Sequence, residues 1–431
     1  MIQRVLSFDD APPLSGPLRF FLTAPLFAIA AAAALSWYGG AALASRWSMS
    51  TLALTHMLTL GFLAMAMCGA LLQILPVVAG VLIPRAALTA AVAHMALTAG
   101  TTLLAGGFAL AQPLLFRLGG PLLGLAFCWL LAAAAPGLLR GMPEGAAATV
   151  AGIRLALLSL AAAVVLGIAL AAGLGWSLRL PLLKLTDLHA AWGLLGWVGL
   201  LVMGVAFQVI PMFQSTPPYP RWASRWLPLA LWLALAAWTM AAGWPGAAQR
   251  VPAMLAALAL AGFALLTLNL LRQRKRVRAD ATTLFWRLAQ ASMVLCAVVY
   301  AAPWMVDEPA RPLLLGMLFI VGFGISAVSG MLYKIVPFLL WYDLQSRPGM
   351  DRKTLPGIKA LLPDRAAEQQ FWLHLAALAL LVAAPLAPQL LARPAAAAFG
   401  LSSLRLWLNL MRAWLAHRRA AALVNSALVA A

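Results

Sequence analysis

Apolar residues form long continuous runs along this chain, and polar residues gather in the short segments between them. Runs of more than about 18 apolar residues can cross the ~30 Å hydrocarbon core of a membrane as helices. Because the runs do not alternate apolar with polar residues, they predict helices rather than the strands of a β-barrel. The pattern predicts an all-α, polytopic membrane protein, a single transmembrane domain with about twelve transmembrane helices. The predicted spans are residues 20–43, 51–82, 87–112, 115–137, 150–175, 182–212, 224–244, 251–271, 283–304, 312–341, 369–391 and 396–416.

A motif of small, aromatic and polar residues occurs three times, with copies about a third of the chain apart. Each copy begins with a Gly-aromatic pair, continues with a second Gly eight residues after the first and a polar residue four later, and ends with a Pro. The repetition predicts three pseudo-symmetric four-helix units, about residues 1–140, 141–278 and 279–431. The three copies are Gly61, Gly69, Gln73 and Pro76; Gly196, Gly204, Gln208 and Pro211; and Gly322, Gly330, Lys334 and Pro337.

The spacing of the motif suggests a physical role for each of its residues. Glycines eight residues apart lie on one helix face and let another helix approach closely. Each proline frees a backbone carbonyl one turn earlier, and the polar side chain is close enough to satisfy a freed group. The motif therefore predicts close helix packing, a lining for a central site, or both.

Charge placement predicts the orientation of the chain. Charged residues are only 10% of the sequence, against about 25% in a typical soluble domain, and the formal net charge is +19. Most basic residues, including the run from Arg272 to Arg278, fall in the tails and in the loops on the same predicted side as the tails. This asymmetry predicts that both termini are cytoplasmic. The run is expected to contact anionic membrane lipid, and nucleic acid is not expected as a partner. The opposite loops hold Arg46, Arg117, Arg179, Lys184, Arg250, Arg311 and Arg393.

Acidic residues and cysteines narrow the possible chemistry. No carboxylate is predicted near the middle of a span, which disfavours proton- or sodium-driven transport. Asp187, at the outer edge of the sixth predicted span, is expected to pair with Lys184 on the same helix face. The three cysteines are isolated in sequence, so neither a disulfide framework nor a zinc cluster is predicted.

Two histidines precede copies of the motif at similar depths. His56 lies five residues before Gly61, and His189 lies seven residues before Gly196. In the third unit, Met317 takes the place of His56. Two imidazoles with a thioether could ligate haem iron or copper, so these residues are the candidate cofactor and metal ligands. Each histidine could instead bond a backbone carbonyl or water at the membrane interface.

The remaining histidines form a second, inner group. His94 and His374 lie on the third and eleventh predicted spans, nearer the cytoplasmic side. They are secondary candidates that either mark an inner site or bond neighbouring helices. His417, in the basic C-terminal end, is expected to be solvated.

The segments Thr55-His56-Met57-Leu58-Thr59-Leu60-Gly61-Phe62 and Asp187-Leu188-His189-Ala190-Ala191-Trp192-Gly193 carry a family resemblance. With the twelve predicted helices in three units, they resemble subunit I of haem-copper oxidases and nitric oxide reductases, and the related NnrS-type haem- and copper-containing membrane proteins. The resemblance implies a bacterial inner-membrane location and a haem or copper cofactor. The tenth and seventh predicted spans lack the histidines of a true oxidase. With five histidines in the chain, oxygen reduction by this protein alone is not expected.

Three functions from different classes remain open at the level of sequence. The first is a haem- or copper-binding accessory protein of respiration, denitrification or the nitric oxide response, partnered by membrane lipid and subunits of such complexes. The second is a permease for a small uncharged or anionic solute, with the polar motif residues along its path. The third is a cofactor-free structural subunit of a respiratory complex.

Overall fold

In a computed structural model of the protein, the described residues are 12–430 except 140–145, 245, 277 and 348–355. Within these residues the protein is all-α, and no strand occurs. The boundary predicted near residue 140 and Val277 of the basic run lie outside the described residues. Short connections such as residues 80–85 and 111–112 turn the chain back between consecutive long helices. The long helices are α1 (Ser15–Tyr38), α2 (Met49–His56, Met57–Ala64 and Met65–Ala79 in succession), α3 (Ala86–Leu110), α4 (Pro113–Leu138), α5 (Ala147–Trp176), α6 (Leu182–Ala190, Ala191–Gly199 and Leu200–Gln214), α7 (Arg221–Met240), α8 (Ala247–Arg272), α9 (Ala281–Ala301), α10 (Ala310–Met317, Leu318–Ile325 and Ser326–Gln345), α11 (Asp364–Ala383) and α12 (Pro388–Ala430).

Eleven of these helices, α1 to α11, are long and apolar enough to cross a membrane, so the protein is an integral membrane protein with multiple spans. The twelfth predicted span, residues 396–416, lies inside α12, which is not among the eleven. Polar and basic residues such as Arg405, Asn409 and Arg412 make α12 less apolar. At 43 residues it is also much longer than the span predicted there.

The first and last helices run antiparallel. Arg393, near the start of α12, donates a hydrogen bond from Nε to the carbonyl of Ser36 near the end of α1 (3.4 Å). Further along α12, Gly400 packs against Ala32, which precedes Ser36 in α1. The beginning of α1 and the end of α12 therefore lie on one side of the bundle. That side is called the Asp280 side, after the residue that joins α8 to α9, and the opposite side is called the Arg46 side, after the loop that joins α1 to α2.

The three motif-bearing helices, α2, α6 and α10, form the centre of the bundle. In the most apolar 18-residue stretch of each central helix, 67% of the residues are buried in α2, 72% in α6 and 78% in α10. The corresponding share is 56% or less in the other candidate spans. The central portion of α10 touches those of both α2 and α6, and a Cβ on Gly324 of α10 would lie 3.0 Å from Leu63 of α2. The other helices surround this core and present many of their large apolar side chains outward, where lipid is expected.

Each central helix contains a π-helical segment at the same place in the motif. The segments are Met57–Ala64, Ala191–Gly199 and Leu318–Ile325. Every segment includes the Gly-aromatic pair and ends three residues after the first motif glycine. Segments of π-helix are rare and are often found at functional sites. The shared local structure links the three copies of the motif, while the division of the whole chain into three units stays a prediction.

The motif glycines lie at close helix contacts, as their spacing predicts. In every copy they pack against the first helix of the same predicted unit, and the two residues they touch there are seven positions apart. One of these contacts is backbone against backbone, since a Cβ on Gly152 of α5 would lie 2.6 Å from the Cα of Gly204. The contacts are Gly61 with Phe27 and Gly69 with Phe20; Gly196 with Ser159 and Gly204 with Gly152; and Gly322 with Ser292 and Gly330 with Phe285.

The motif prolines do not break their helices. Pro76 and Pro211 lie in the last turn of α2 and α6, and Pro337 lies inside α10, which continues to Gln345. Each proline still removes one backbone hydrogen bond, the one to the carbonyl four residues earlier, and the helix continues past it.

Candidate functional site

A central cavity of about 730 Å³ lies on the Arg46 side of the bundle. Residues of α2, α6 and α10 line it, including parts of all three π-helical segments, and outer helices of all three predicted units complete the wall. The wall is mainly apolar, with side chains such as Phe108, Phe127 and Phe319. This volume is within the range of about 300–1,000 Å³ typical of ligand sites.

His56 and His189 both line this cavity, each in the turn before a π-helical segment. Nδ1 of His56 lies 2.7 Å from the carbonyl oxygen of Leu52, one turn earlier in α2. Nδ1 of His189 lies 2.9 Å from the carbonyl oxygen of Ala163 in α5. Because a carbonyl only accepts, Nδ1 must donate in both rings. Both neutral imidazoles therefore keep a lone pair on Nε2, which has no hydrogen-bond partner among the described residues.

The two rings are neighbours across the boundary between the first two predicted units. Their centroids are 6.2 Å apart, and their planes differ by 16°. Two imidazoles that share one metal, at metal–nitrogen distances of about 2.0–2.1 Å, have ring centroids roughly 6 Å apart or less. The two rings are therefore close enough to share a metal, and both Nε2 atoms are free, while their near-parallel planes are those of a stacked pair. The phenyl ring of Phe108, on α3, packs against the His56 ring, with 5.0 Å between the two centroids.

Met317 lines the same cavity from α10, as do two sulfur-bearing residues of α9, Met293 and Cys296. The Cys296 Sγ lies 3.7 Å from the carbonyl oxygen of Leu315. Sequence reasoning passed over Cys296 because no other cysteine or histidine lies near it in the chain. Among the described residues, no three His, Cys, Asp or Glu side chains form a cluster that could hold a metal ion. Protein donors beyond the two imidazoles would therefore have to be softer or weaker ones, such as the Met317 thioether.

The carboxylate of Asp187 forms an ion pair near the cavity, but not with the expected partner. It lies 2.8 Å from a guanidinium nitrogen of Arg46, and Arg46 lines the cavity from the loop between α1 and α2. The prediction that Asp187 pairs with Lys184 is therefore wrong. Both partners are more than 40% exposed, so the pair contributes little to stability. It nonetheless connects the first predicted unit to the second beside the histidines.

The other histidines have their own polar partners. The imidazole Nε2 of His94 lies 2.9 Å from the hydroxyl oxygen of Thr23 on α1, and that of His374 lies 2.9 Å from the hydroxyl oxygen of Ser326 on α10. Each of these contacts joins neighbouring helices. His417 is buried rather than solvated, which corrects the expectation, since its Nε2 lies 2.8 Å from a carboxylate oxygen of Asp343. Asp343 itself lies in α10 and not in a loop.

A second central cavity, of about 330 Å³, lies between α2, α6 and α10 on the Asp280 side. Gln73 and Gln208 of the motif line it, but Lys334 does not. The Lys334 ammonium instead donates a hydrogen bond to the Asp280 carboxylate at 2.7 Å. The expectation that Lys334 satisfies a carbonyl freed by its proline is therefore replaced by an ion pair.

Asp280 joins Lys334 to the start of α9. Its carboxylate accepts a hydrogen bond from the backbone N–H of Thr283 (2.9 Å) and so caps that helix. Burial raises the pKa of Asp280. The hydrogen bond and charge of Lys334, together with the hydrogen bonds from Thr283, lower the pKa by more than burial raises it. The pKa therefore lies below its ordinary value. A carboxyl with a lowered folded-state pKa stabilises the fold above its unfolded pKa, and this stabilisation is lost as the pH falls through the folded value.

We expect Asp280→Asn to lower the free energy of unfolding by about 1–2 kcal/mol at pH 7, because it weakens a partly buried, charge-assisted bond. The difference from the unmodified protein should shrink below about pH 4, near the unfolded pKa of an aspartate. Unfolding titrations with dodecyl sulfate at several pH values measure this. Asp307→Asn, in an exposed loop, is the matched control and should have little effect. Equal destabilisation at pH 7 and pH 3 would contradict the assignment.

The chain matches no known protein-family model, and no curated protein sequence matches it.

Proposed function

We propose that this chain is a haem- or copper-binding protein of the bacterial inner membrane, similar in architecture to subunit I of haem-copper oxidases and to NnrS-type proteins. Its role would be accessory to respiration or denitrification, or part of a nitric oxide response. The observation that carries the proposal is the pair of imidazoles, His56 and His189, 6.2 Å apart in a central cavity with their Nε2 atoms free. Their Nδ1–H groups are held by backbone carbonyls, the outer-shell arrangement that fixes a ligating histidine.

The cavity favours haem over an isolated copper ion. A haem brings four ring nitrogens of its own, so two imidazoles suffice, and its macrocycle needs a large apolar space such as the 730 Å³ cavity. A copper ion held by these residues needs further soft donors, and Met317 lines the same cavity. A bound haem would supply a redox-active iron. In either case His56 and His189 would hold the metal, and the apolar wall would exclude water from it.

An absorption spectrum of the detergent-purified protein tests the proposal, recorded air-oxidised and after reduction with dithionite, with iron and copper analysis of the same sample. For haem we expect a Soret band that shifts on reduction and about one iron per chain. For copper we expect about one copper per chain and no Soret band. A well-folded protein that shows neither, even after incubation with haemin or with cuprous ion, contradicts the proposal.

A permease for a small uncharged or anionic solute is the second candidate, because the two central cavities lie one after the other along α2, α6 and α10. A packed layer separates them, and fully buried side chains such as Phe62, Leu63 and Phe323 belong to it. Gln290 of α9 lies between residues that line the two cavities, Trp286 and Met293. Neither polar atom of its buried amide has a hydrogen-bond partner among the described residues.

Swelling of proteoliposomes in glycerol, urea and acetate tests the permease. Swelling faster than in protein-free vesicles, retained when both His56 and His189 are replaced by alanine, favours this candidate. Rates equal to those of protein-free vesicles for all three solutes count against it.

A further inference from the structure

The outer face of α9 carries the cation Arg287 on a surface that is otherwise apolar. Arg287, Ala291, Leu295 and Val298 recur every three or four residues and form an exposed stripe, in which Leu295 and Val298 are 45% and 44% exposed. Helix α9 is one of the eleven candidate spans, and Arg287 lies about 9 Å along it from Ala281. A cation at this depth needs a polar partner near the membrane interface, because hydrocarbon supplies none.

A second guanidinium, that of Arg274, lies beside Arg287. Arg274, in the connection between α8 and α9, donates hydrogen bonds to the hydroxyl oxygen of Thr283 and to the carbonyls of Arg276 and Arg278. Thr283 lies one turn before Arg287 on the same face of α9. These bonds hold Arg274 at the start of that face, and they fix the shape of the loop that carries Arg276.

The positive charge of this cluster is not neutralised by the described residues. Partial burial lowers the pKa of Arg274, Asp280 raises it, and the nearby charges of Arg287 and Arg276 lower it. The Asp280 carboxylate is already bound to the Lys334 ammonium at 2.7 Å. Arg287 has no hydrogen bond and no ion pair among the described residues. Since like charges repel, an anion placed among these guanidiniums would be stabilised.

We propose that one anionic phospholipid binds here, with its phosphate held by Arg287, Arg274 and Arg276 and its acyl chains along the stripe of Leu295 and Val298. Guanidinium groups donate paired hydrogen bonds to phosphate oxygens. Because the loop is already fixed by the bonds of Arg274, little ordering opposes binding. The site is more specific than the general lipid contact expected of the basic run, since it includes Arg287 of α9. It does not depend on the cofactor proposal.

Native mass spectrometry of the delipidated full-length protein in detergent tests this site. Titration with dioleoylphosphatidylglycerol should give one tightly bound lipid per chain. Dioleoylphosphatidylcholine has the same acyl chains but no net charge, and it should bind at least about tenfold more weakly. Inorganic phosphate at the same concentration should not displace the lipid, because it lacks the chains that contact the stripe. Arg287→Gln should weaken phosphatidylglycerol binding about tenfold, and Arg276→Gln gives a second test that leaves α9 unchanged.

Arg412→Gln is the matched control, because it removes the same charge from an exposed position on α12. That helix packs against α1, α10 and α11. The control should bind phosphatidylglycerol within about a factor of two of the unmodified protein, whereas diffuse attraction to a positive surface would make the variants equal. The proposal is overturned if the two lipids bind equally, if the Arg287 and Arg276 variants bind phosphatidylglycerol normally, or if Arg412→Gln weakens binding as much as they do.

Discussion

His56→Ala and His189→Ala should each lower haem or copper content more than about tenfold, while the protein still purifies as a folded membrane protein. Each substitution removes one of the two imidazoles that the cavity brings together, and loss of even an outer-shell partner costs about 10–100-fold in metal affinity. Both residues are only partly buried and face an existing cavity. Their truncation therefore enlarges a space already present and leaves the packed layer intact. The measurement is the ratio of Soret absorbance, or of copper, to protein.

His94→Ala is the matched control for this prediction. His94 contacts Thr23 and the ring of Phe20, and it does not line the central cavity. The cofactor content of this variant should stay within about a factor of two of that of the unmodified protein, whereas loss of a ligand should lower it more than about tenfold. Cofactor content that is unchanged in both cavity variants would exclude His56 and His189 as ligands.

Gly152→Ala should be the most destabilising single-methyl change in the contact between α5 and α6. A Cβ at this position would lie 2.6 Å from the Cα of Gly204, and backbone cannot rotate away as a side chain can. Overpacking of this kind costs about 1–3 kcal/mol and shifts the backbone, so we expect about 3 kcal/mol of lost unfolding free energy. Unfolding by dodecyl sulfate, followed by circular dichroism, measures the loss.

Gly262→Ala on α8 is the corresponding control. A Cβ there would approach nothing more closely than 4.0 Å, to Leu227. Since alanine favours helix over glycine by up to about 1 kcal/mol, this variant should be as stable as the unmodified protein or more stable. Gly152→Ala should therefore lower the free energy of unfolding, and Gly262→Ala should leave it unchanged or raise it. A stabilising Gly152→Ala would show that α5 and α6 do not touch through their backbones.

Local patterns predicted much of this fold. Apolar runs set the positions of the spans because lipid requires about 20 apolar residues in a row, and α1 to α11 lie close to the predicted ranges. The glycine spacing predicted close helix contacts because helical geometry alone puts residues eight apart on one face. The last helix was predicted too short, since hydropathy reports how much of a helix lipid can cover and not where the helix ends.

Predictions that depended on a partner distant in sequence were less successful. Lys184 was the nearest charge to Asp187 in the chain, but the fold brings Arg46 from the loop between α1 and α2. The roles predicted for Lys334 and His417 considered only their neighbours in sequence. In the fold, Lys334 pairs with Asp280 and His417 pairs with Asp343, both through tertiary contacts. For His56 and His189, the sequence indicated similar depth. It could not show that the two rings are adjacent, because adjacency depends on the packing of α2 beside α6.

The three π-helical segments also bear on how the chain arose. A π-helical turn takes more residues than an α-helical turn for one closed hydrogen-bonded ring, so each segment holds residues that a regular helix of the same span lacks. All three segments end three residues after the first motif glycine. If the three predicted units are copies of one, a single insertion before the copying accounts for this register. Without such copying, three independent insertions would have had to occur at the same position of the motif.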